Sequence, residues 1–141
     1  MQDKLYTCLW YEKEAKEAAE FYCSVFPEAV VLTENPFVVV FTLLGKTFMA
    51  LNGKKGLPFN EAVSLVVNCD TQQEIDHYWK LLSAGGKENM CGWLKDKYGL
   101  SWQIVPTQLG KLMSNSETAA RVSQSLFQMK KIEIDKLLVK D

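Results

Sequence analysis

The sequence predicts an α+β domain made of two similar units, each a strand, an amphipathic helix and further strands, followed by a C-terminal helical tail. Three observations predict it. Apolar residues follow strand spacing and then helical spacing twice along the chain. A segment rich in glycine, lysine and proline, residues 52–58, separates the two occurrences. The 141 residues, with 48% hydrophobic and 23% charged side chains, fit one domain with a substantial core.

The first unit covers about residues 4–52. An aromatic and apolar run at 4–11 predicts its first strand, and residues 12–26 then change to helical spacing until Pro27, which cannot continue a helix. One face of this helix carries Ala15, Ala18, Ala19, Tyr22 and Phe26. Three strands are expected next, at about 29–34, 37–44 and 47–52. Gly45-Lys46 predicts a tight hairpin between the last two.

The second unit covers about residues 61–106. Residues 61–69 predict a strand, and Thr71 with Glu74 forms a capping box that begins a helix. The apolar stripe of that helix is Ile75, Tyr78, Trp79 and Leu82. Strands are expected at about 91–95 and 100–105, joined by a turn at 96–99.

The tail covers about residues 107–139. Ser114 and Glu117 predict a second capping box, before a helix with Ala119, Val122, Leu126 and Met129 on one side. Residues 132–139 add a short apolar end. Two alternatives are open for the tail, packing on its own domain or packing on a partner subunit.

Composition excludes several classes of partner. The formal charge is −1 and no basic block alternates with aromatic residues, so we expect no nucleic acid partner. The longest apolar run, 36–41, is too short to cross a membrane, and the first residues do not form a signal peptide. We therefore expect a cytoplasmic protein. The four cysteines form no CxxC pair, and they are predicted to be free, mostly buried thiols.

Several segments resemble one protein family. They are CLWYEKEAKEAAEFYCSVFPEA, FMALNG, FNEAVSLVV, YWKLLSAGGKENMCGWLKDKYGLSWQIVP and QMKKIEIDKL. Together they are similar to the 3-demethylubiquinone methyltransferase-like (PhnB-like) branch of the glyoxalase/bleomycin-resistance superfamily, also called the vicinal oxygen chelate superfamily. The resemblance implies two βαβββ modules that form curved sheets around a cleft, and a homodimer. The superfamily contains metal-dependent enzymes and also proteins that only sequester an antibiotic, so the fold alone does not choose a function.

The resemblance also implies where a metal ion would bind. The metal-dependent members place ligands on the first and last strands of each module, and the equivalent positions here are Thr7, Met49, Val63 and Gln103. Only Gln103 is a credible ligand, and a shift of one residue would bring in Cys8, Ala50, Ser64 or Trp102, none of them a hard oxygen ligand. We therefore predict no bound metal.

Other catalytic groups are scarce. The only histidine, His77, lies away from the apolar stripe of its helix and is predicted to be a surface residue. No strand is followed by a glycine-rich nucleotide-binding turn, so no cofactor is predicted. The methyltransferase label of the family is therefore weak evidence for that activity.

Strand alternation predicts the lining of the cleft. If Gln103 points inward, Ser101 and Val105 join it, while Trp102 and Ile104 face the helix. By the same reasoning Cys8 and Trp10 are expected to face the first helix. The predicted ligand-binding residues are Thr7, Leu9, Met49, Glu61, Val63, Trp93, Ser101 and Gln103.

Two of these residues have alternative interpretations. Glu61 could act as an acid or base if desolvation raised its pKa, or it could be an ordinary carboxylate in solvent at the end of a strand. Trp93 could stack on a ligand or belong to the core.

Three functional hypotheses follow. The leading one is a metal-free protein that binds a small, largely apolar molecule in the cleft. The second is an isomerase, lyase or transferase that uses Glu61 and Gln103 on an oxygenated substrate. The third is an interaction or structural module whose cleft is filled by its own side chains.

Overall fold

The chain folds into two units of similar topology. The computed structural model describes residues 3–53 and 55–137. The boundary between the two compact units falls between Leu57 and Pro58. In the described ranges, helices are too short or too polar to cross a membrane.

The first unit is a four-stranded mixed sheet with one helix. Its elements are β1 (Thr7–Tyr11), α1 (Ala15–Val25), β2 (Val30–Glu34), β3 (Val38–Leu43) and β4 (Lys46–Asn52). The strand order is β1-β4-β3-β2, with β1 parallel to β4 and the other neighbours antiparallel. The hairpin turn lies one residue earlier than predicted, because Leu44 and Gly45 both have positive φ, 49° and 78°, as a two-residue type I′ turn requires.

Helix α1 covers one face of this sheet. The five residues predicted for its apolar face are all buried. The Tyr22 hydroxyl lies 3.2 Å from that of Tyr11 on β1, and its ring stacks on Phe41 of β3 at a centroid distance of 6.4 Å. Phe41 in turn stacks on Phe48 of β4 at 5.8 Å. These contacts identify the face of each strand that points towards the helix.

Asn52 connects the end of β4 to the start of α1. Its Oδ1 accepts a hydrogen bond from the Ala15 amide at 2.9 Å, and its Nδ2 donates to the Pro36 carbonyl at 3.1 Å. The first residue of a helix has no intrahelical acceptor, and the Glu14 side chain makes no cap here. A side chain 37 residues away therefore caps α1.

The second unit repeats the same topology and adds the tail. Its elements are β5 (Ser64–Cys69), α2 (Gln72–Ser83), β6 (Lys87–Glu88), β7 (Trp93–Lys95), β8 (Ser101–Pro106), α3 (Leu109–Ser114), α4 (Ser116–Leu126) and α5 (Ile134–Leu137). The strand order is β5-β8-β7-β6, and β5 runs parallel to β8. The predicted start of β5 was wrong by three residues, because Glu61 and its two successors form a turn.

Helix α2 follows its prediction closely. The Thr71 hydroxyl accepts a hydrogen bond from the Glu74 amide at 3.2 Å, which confirms the predicted cap. The predicted stripe of four apolar residues is buried. The helix therefore covers one face of the second sheet, as α1 covers one face of the first.

The tail packs on the second unit. Val105 of β8 forms an apolar cluster with four buried tail residues, Val122, Met129, Ile132 and Leu137. The backbone is joined too, because the amides of Cys91 and Gly92 donate to the carbonyls of Met129 and Lys130 at 2.7 and 2.9 Å. Of the two alternatives, this structure shows packing on the chain's own domain.

The cap of α4 differs from the expectation. Asn115, not Ser114, caps α4, accepting from the Glu117 amide at 2.8 Å, since the separate helix α3 occupies the preceding residues. Of the apolar end predicted at 132–139, residues 138 and 139 lie outside the described residues.

Replacing Ile132 by alanine should lower the free energy of unfolding by about 2–5 kcal/mol, the usual cost of truncating a buried isoleucine. Ile132 is fully buried and lies against Gly92. Urea denaturation measures the change. Phe127→Ala in the same tail is the matched control, because a side chain that is 69% exposed should change stability by about 0.5 kcal/mol or less. Equal effects of the two substitutions would contradict the packing of the tail.

Candidate functional site

Each strand of the second sheet has one face towards α2 and one face away from it. Trp102 and Ile104 of β8 are buried towards the helix, as predicted, and Leu94, which pairs with Trp102, is fully buried. We call the opposite face of this sheet the far face. Its residues are Ser64, Val66 and Asn68 of β5, Trp93 and Lys95 of β7, and Ser101, Gln103 and Val105 of β8.

Polar side chains gather at one end of the far face. Gln103 Nε2 donates a hydrogen bond to Ser64 Oγ at 2.9 Å. Ser101 pairs with Ser64 in the sheet and is fully buried, and its hydroxyl has no hydrogen-bond partner in the described part of the chain. An unpaired buried hydroxyl is unfavourable and uncommon in native proteins. Ser101 therefore holds an unused hydrogen-bonding group within this polar group of residues.

Apolar surface borders the polar residues. Trp93 lies directly opposite Gln103 in the β7–β8 pair, and Val66 lies opposite Gln103 in the β5–β8 pair. Val66 is 55% exposed, although it lies in the middle of a strand. The arrangement resembles a small-molecule site, in which a few polar groups are placed on an apolar surface.

Glu61 forms an ion pair at the edge of this group. Its carboxylate lies 2.6 Å from Lys95 Nζ, and its side chain is 57% exposed. The hydrogen bond from Lys95 is the main cause that lowers the pKa of Glu61 below its usual value. The acid–base hypothesis required desolvation to raise that pKa, so the structure gives Glu61 the environment of a paired surface carboxylate.

The predicted orientation of β1 is wrong. Leu9 and Tyr11 are buried on the α1 side, where Tyr11 meets Tyr22, while Cys8 and Trp10 are exposed on the opposite face. Thr7 shares the side of Leu9 by alternation, so neither residue lies where the cleft lining was predicted. The strand has large apolar residues at both alternations, so the pattern did not determine which set faces the helix.

The predicted orientation of Met49 on β4, in contrast, agrees with the structure. Met49 and Thr47 of β4 lie on the face opposite α1, because Phe48 and Ala50 are buried towards the helix. Cys8 pairs with Met49 in the parallel β1–β4 ladder. Cys8 and Met49 therefore form a directly opposed pair on the face away from α1, as Val66 and Gln103 do on the face away from α2.

Val63 is also displaced from its predicted place. It lies before β5 and is exposed, so Ser64 is the first strand residue at that end of the far face. Of the eight predicted ligand-binding residues, the structure brings Trp93, Ser101 and Gln103 together on one face, with Glu61 adjacent through Lys95.

The predicted ligand-binding residues did not include Ser64, which was named only as a one-residue shift from Val63, or Lys95. The sequence did contain a signal for Lys95. In the run Trp93-Leu94-Lys95, alternation along the strand gives Lys95 the same face as Trp93. Ser64 was lost because the start of the strand was placed too early.

Neither unit offers a donor pair that suits a divalent metal ion. In the first unit the corrected strand alternation replaces Thr7 by Cys8, which leaves a thiol with the Met49 thioether; in the second unit Ser64 replaces Val63, which leaves a hydroxyl with the Gln103 amide. Partial burial of the Cys8 thiol raises its pKa although the residue as a whole is exposed, and the raised pKa disfavours the thiolate that a soft metal would need. Within residues 3–53 and 55–137, no three His, Cys, Asp or Glu side chains form a cluster that could hold a metal ion.

The remaining reactive groups lie elsewhere. His77 is exposed on α2, as predicted, and its ring contacts Tyr78. The four cysteines are free, but the expectation that most are buried is wrong, because only Cys69 is. Burial is the main factor that raises the pKa of Cys69 to about 12, so its thiol stays protonated at neutral pH.

In each unit the edge strand, β1 or β5, runs parallel to the last strand, β4 or β8. Two units of this topology define the vicinal oxygen chelate fold. The sequence matches the protein family described as 3-demethylubiquinone-9 3-methyltransferase over residues 3–105. A PhnB protein from Bacillus cereus, titled a putative 3-demethylubiquinone-9 3-methyltransferase, is 32% identical, with a TM-score of 0.68 over 74% of this chain and 99% of that chain. The chain therefore belongs to the 3-demethylubiquinone-9 3-methyltransferase family.

More distant structures share the fold alone. A protein from Pseudomonas aeruginosa is 16% identical, with a TM-score of 0.60 over 75% of this chain and 97% of that chain. The fosfomycin resistance protein FosX from Listeria monocytogenes, whose structure is a complex with Mn(II) and sulfate, is 12% identical, with a TM-score of 0.59 over 81% and 97%. No curated protein matches the chain.

Thiol labelling should distinguish the two faces of β1 and β5. Under native conditions an alkylating reagent should modify Cys8 first and leave Cys69 unmodified, because Cys8 is exposed and Cys69 is fully buried with a strongly raised pKa. Peptide mass spectrometry over a time course locates the label. All four thiols should react once the protein is unfolded in urea. Protection of Cys8 together with labelling of Cys69 in the folded protein would contradict the corrected orientation.

Proposed function

We propose that the protein binds a small, largely apolar, oxygen-containing molecule on the far face of the second sheet, without a metal ion. The observation that carries this proposal is the group formed by Gln103, Ser64 and the unpaired Ser101 hydroxyl beside Trp93. A ligand oxygen could use the free hydrogen-bonding groups, while its apolar part covers Trp93 and Val66.

The chemistry of the donors supports binding that needs no metal. The far face of the second sheet offers one amide and two hydroxyl groups, and neutral ligands of this kind hold a catalytic divalent ion poorly. The same groups suit direct hydrogen bonds to a ligand, since each is both a donor and an acceptor.

Binding is better supported than acid–base catalysis. A general base near neutral pH needs a carboxylate with a raised pKa, whereas the ion pair with Lys95 lowers the pKa of Glu61. Glu61 is also mostly exposed, so water competes for its proton. We therefore assign Glu61 an electrostatic role at the edge of the site.

A thermal-shift screen of small oxygenated aromatic and aliphatic molecules, in buffer containing EDTA, tests the proposal. A ligand that binds the folded state raises the melting temperature by mass action, so hits should persist after metal removal. Hits that vanish with EDTA and return with one divalent metal would contradict metal-independent binding.

The variants Gln103→Ala and Trp93→Ala should each weaken binding of a screening hit about 10-fold, because each removes one hydrogen bond or one stacking surface. Isothermal titration calorimetry measures the dissociation constant. Gln73→Ala is the matched control, since Gln73 is an exposed glutamine on α2, away from the far face. Unchanged binding in both far-face variants would place the site elsewhere.

We also propose that the protein is a homodimer that uses the edge strand β2. Val30, Val31 and Leu32 are consecutive, each 40–50% exposed, and the strand lies at the end of its sheet. Residues 30–34 contain no lysine or proline, two of the residues that protect an edge from pairing, and the ladder of β2 with β3 is irregular only between Val31 and Thr33. A second copy would cover these side chains and use the free backbone groups of the edge.

Light scattering of the purified protein should therefore give the mass of two chains, and Val31→Lys should shift the mass towards one chain. The added charge would have to be buried in the interface, which is costly. Phe127→Lys, a charge introduced at an exposed tail residue, should leave the mass unchanged. A monomer mass for the unmodified protein would overturn the proposal.

A further inference from the structure

Three side chains form a row across the second sheet. Ser101 on β8 is paired with Ser64 on β5 and with Lys95 on β7, so all three lie on the far face, one strand apart. Directly opposed residues in a sheet have Cβ atoms about 5 Å apart. A ligand group of two or three atoms placed next to Ser101 could therefore contact the ends of Ser101 and one of its two neighbours together.

The row is rich in hydrogen-bond donors. Lys95 supplies an ammonium group with three N–H donors, and Ser101 supplies a hydroxyl that is fully buried and unpaired among the described residues. Ser64 Oγ already accepts from Gln103, so its own proton is directed elsewhere. The acceptor that these donors require is an oxygen atom with negative charge.

Glu61 supplies a carboxylate to Lys95 but not to Ser101. Its carboxylate meets Lys95, but more than half of the Glu61 side chain is exposed, and it belongs to a turn before β5 and not to the sheet. Exposed ion pairs contribute little net stability, so an incoming anion can displace such a partner at small cost. No contact of Glu61 with the Ser101 hydroxyl exists, so the pair leaves that group unsatisfied.

We propose that Ser64, Ser101 and Lys95 form an oxyanion subsite that binds the carboxylate of a small apolar acid, with Glu61 as a displaceable counter-ion of Lys95. The carboxylate accepts a hydrogen bond from Lys95 and, once the groups that cover the buried Ser101 hydroxyl move aside, a second one from Ser101, and the apolar part of the acid extends over Trp93. This inference rests on the proposed function and specifies the class of ligand. It also reverses the role first considered for Glu61, which becomes a competitor of the ligand and not a catalyst.

A matched pair of probes tests the charge requirement. Benzoate and benzamide have the same ring and nearly the same shape but differ in charge. We expect benzoate at millimolar concentration to shift the backbone amide NMR signals of Lys95 and Ser101, and benzamide to bind roughly 10-fold more weakly, since hydrogen bonds to charged groups are the stronger ones.

Three variants then separate the roles in the row. Lys95→Met and Ser101→Ala should each weaken benzoate binding roughly 10-fold and change benzamide binding little. Glu61→Gln should tighten benzoate binding about two- to five-fold, because it removes the competing carboxylate. Lys80→Met, at an exposed lysine on α2, is the control for the loss of one positive charge.

Weaker benzoate binding caused by a destabilised fold can be recognised from the melting temperature. Ser101→Ala removes a buried unpaired hydroxyl, so its melting temperature should be equal to or higher than that of the unmodified protein. Weakened benzoate binding without a lower melting temperature supports the subsite.

The outcomes distinguish this inference from the proposed function. If benzoate and benzamide bind equally and both are lost in Gln103→Ala, the far face binds small molecules but the oxyanion subsite is overturned. Binding of neither probe also overturns the subsite, while the wider screen in EDTA still decides the proposed function. Weaker benzoate binding in Glu61→Gln would contradict the counter-ion role.

Discussion

Each four-stranded sheet of this protein has one helix to cover it, and the face that the helix buries determines the role of almost every strand residue. In the first unit the buried face is defined by Tyr11, Tyr22 and Phe41. The two tyrosine hydroxyls lie next to each other, and the Tyr22 ring stacks on Phe41 between α1 and the sheet. In the second unit Trp102 and Ile104 of β8 take the same part beneath α2. The residues between them on each strand must then point the other way, and these are the residues available for binding.

Two buried polar residues of the second unit illustrate how structural and functional groups differ. Asp96 is buried, but its carboxylate accepts from the amides of Tyr98 and Leu100 and, at 2.9 Å, from Trp102 Nε1. It closes the turn between β7 and β8 and is fully used by the fold. Ser101 is equally buried and has no such partner among the described residues. The fold makes no use of the Ser101 hydroxyl, and the proposed site depends on this unpaired group.

The sequence predicted helices more accurately than strands. The stripe of α2 was recovered in full, and that of α1 except for the buried Val25, because apolar residues repeat with one period and polar residues fill the other face. Strand β1 has Leu9 and Tyr11 at one alternation and Cys8 and Trp10 at the other, so burial on either side was equally consistent with the pattern. Strand β6 has two residues, too few for any periodicity.

The errors in strand orientation and strand bounds led to errors in the predicted site. The orientation of β8 agrees with the conditional prediction that Gln103 and Ser101 point away from the helix while Trp102 and Ile104 point towards it. Ser64 and Lys95 were missed because their positions depend on where β5 begins and on how the hairpin pairs, both of which are set by contacts between strands. Register is a tertiary property, and a shift of one residue exchanges the two faces of a strand.

The C-terminal tail contacts the same face of the second sheet that carries the proposed binding residues. The family match ends at residue 105, and the tail that follows packs on Val105, which shares the far face with Gln103. Val122 and Ile132 therefore cover the carboxyl end of this face, while the amino end keeps Ser64, Ser101 and Lys95. For a ligand bound on this face as proposed, the tail would limit how far the molecule extends along β8, and its polar group would lie at the lysine end. The proposed site therefore depends on residues outside the matched region as well as within it.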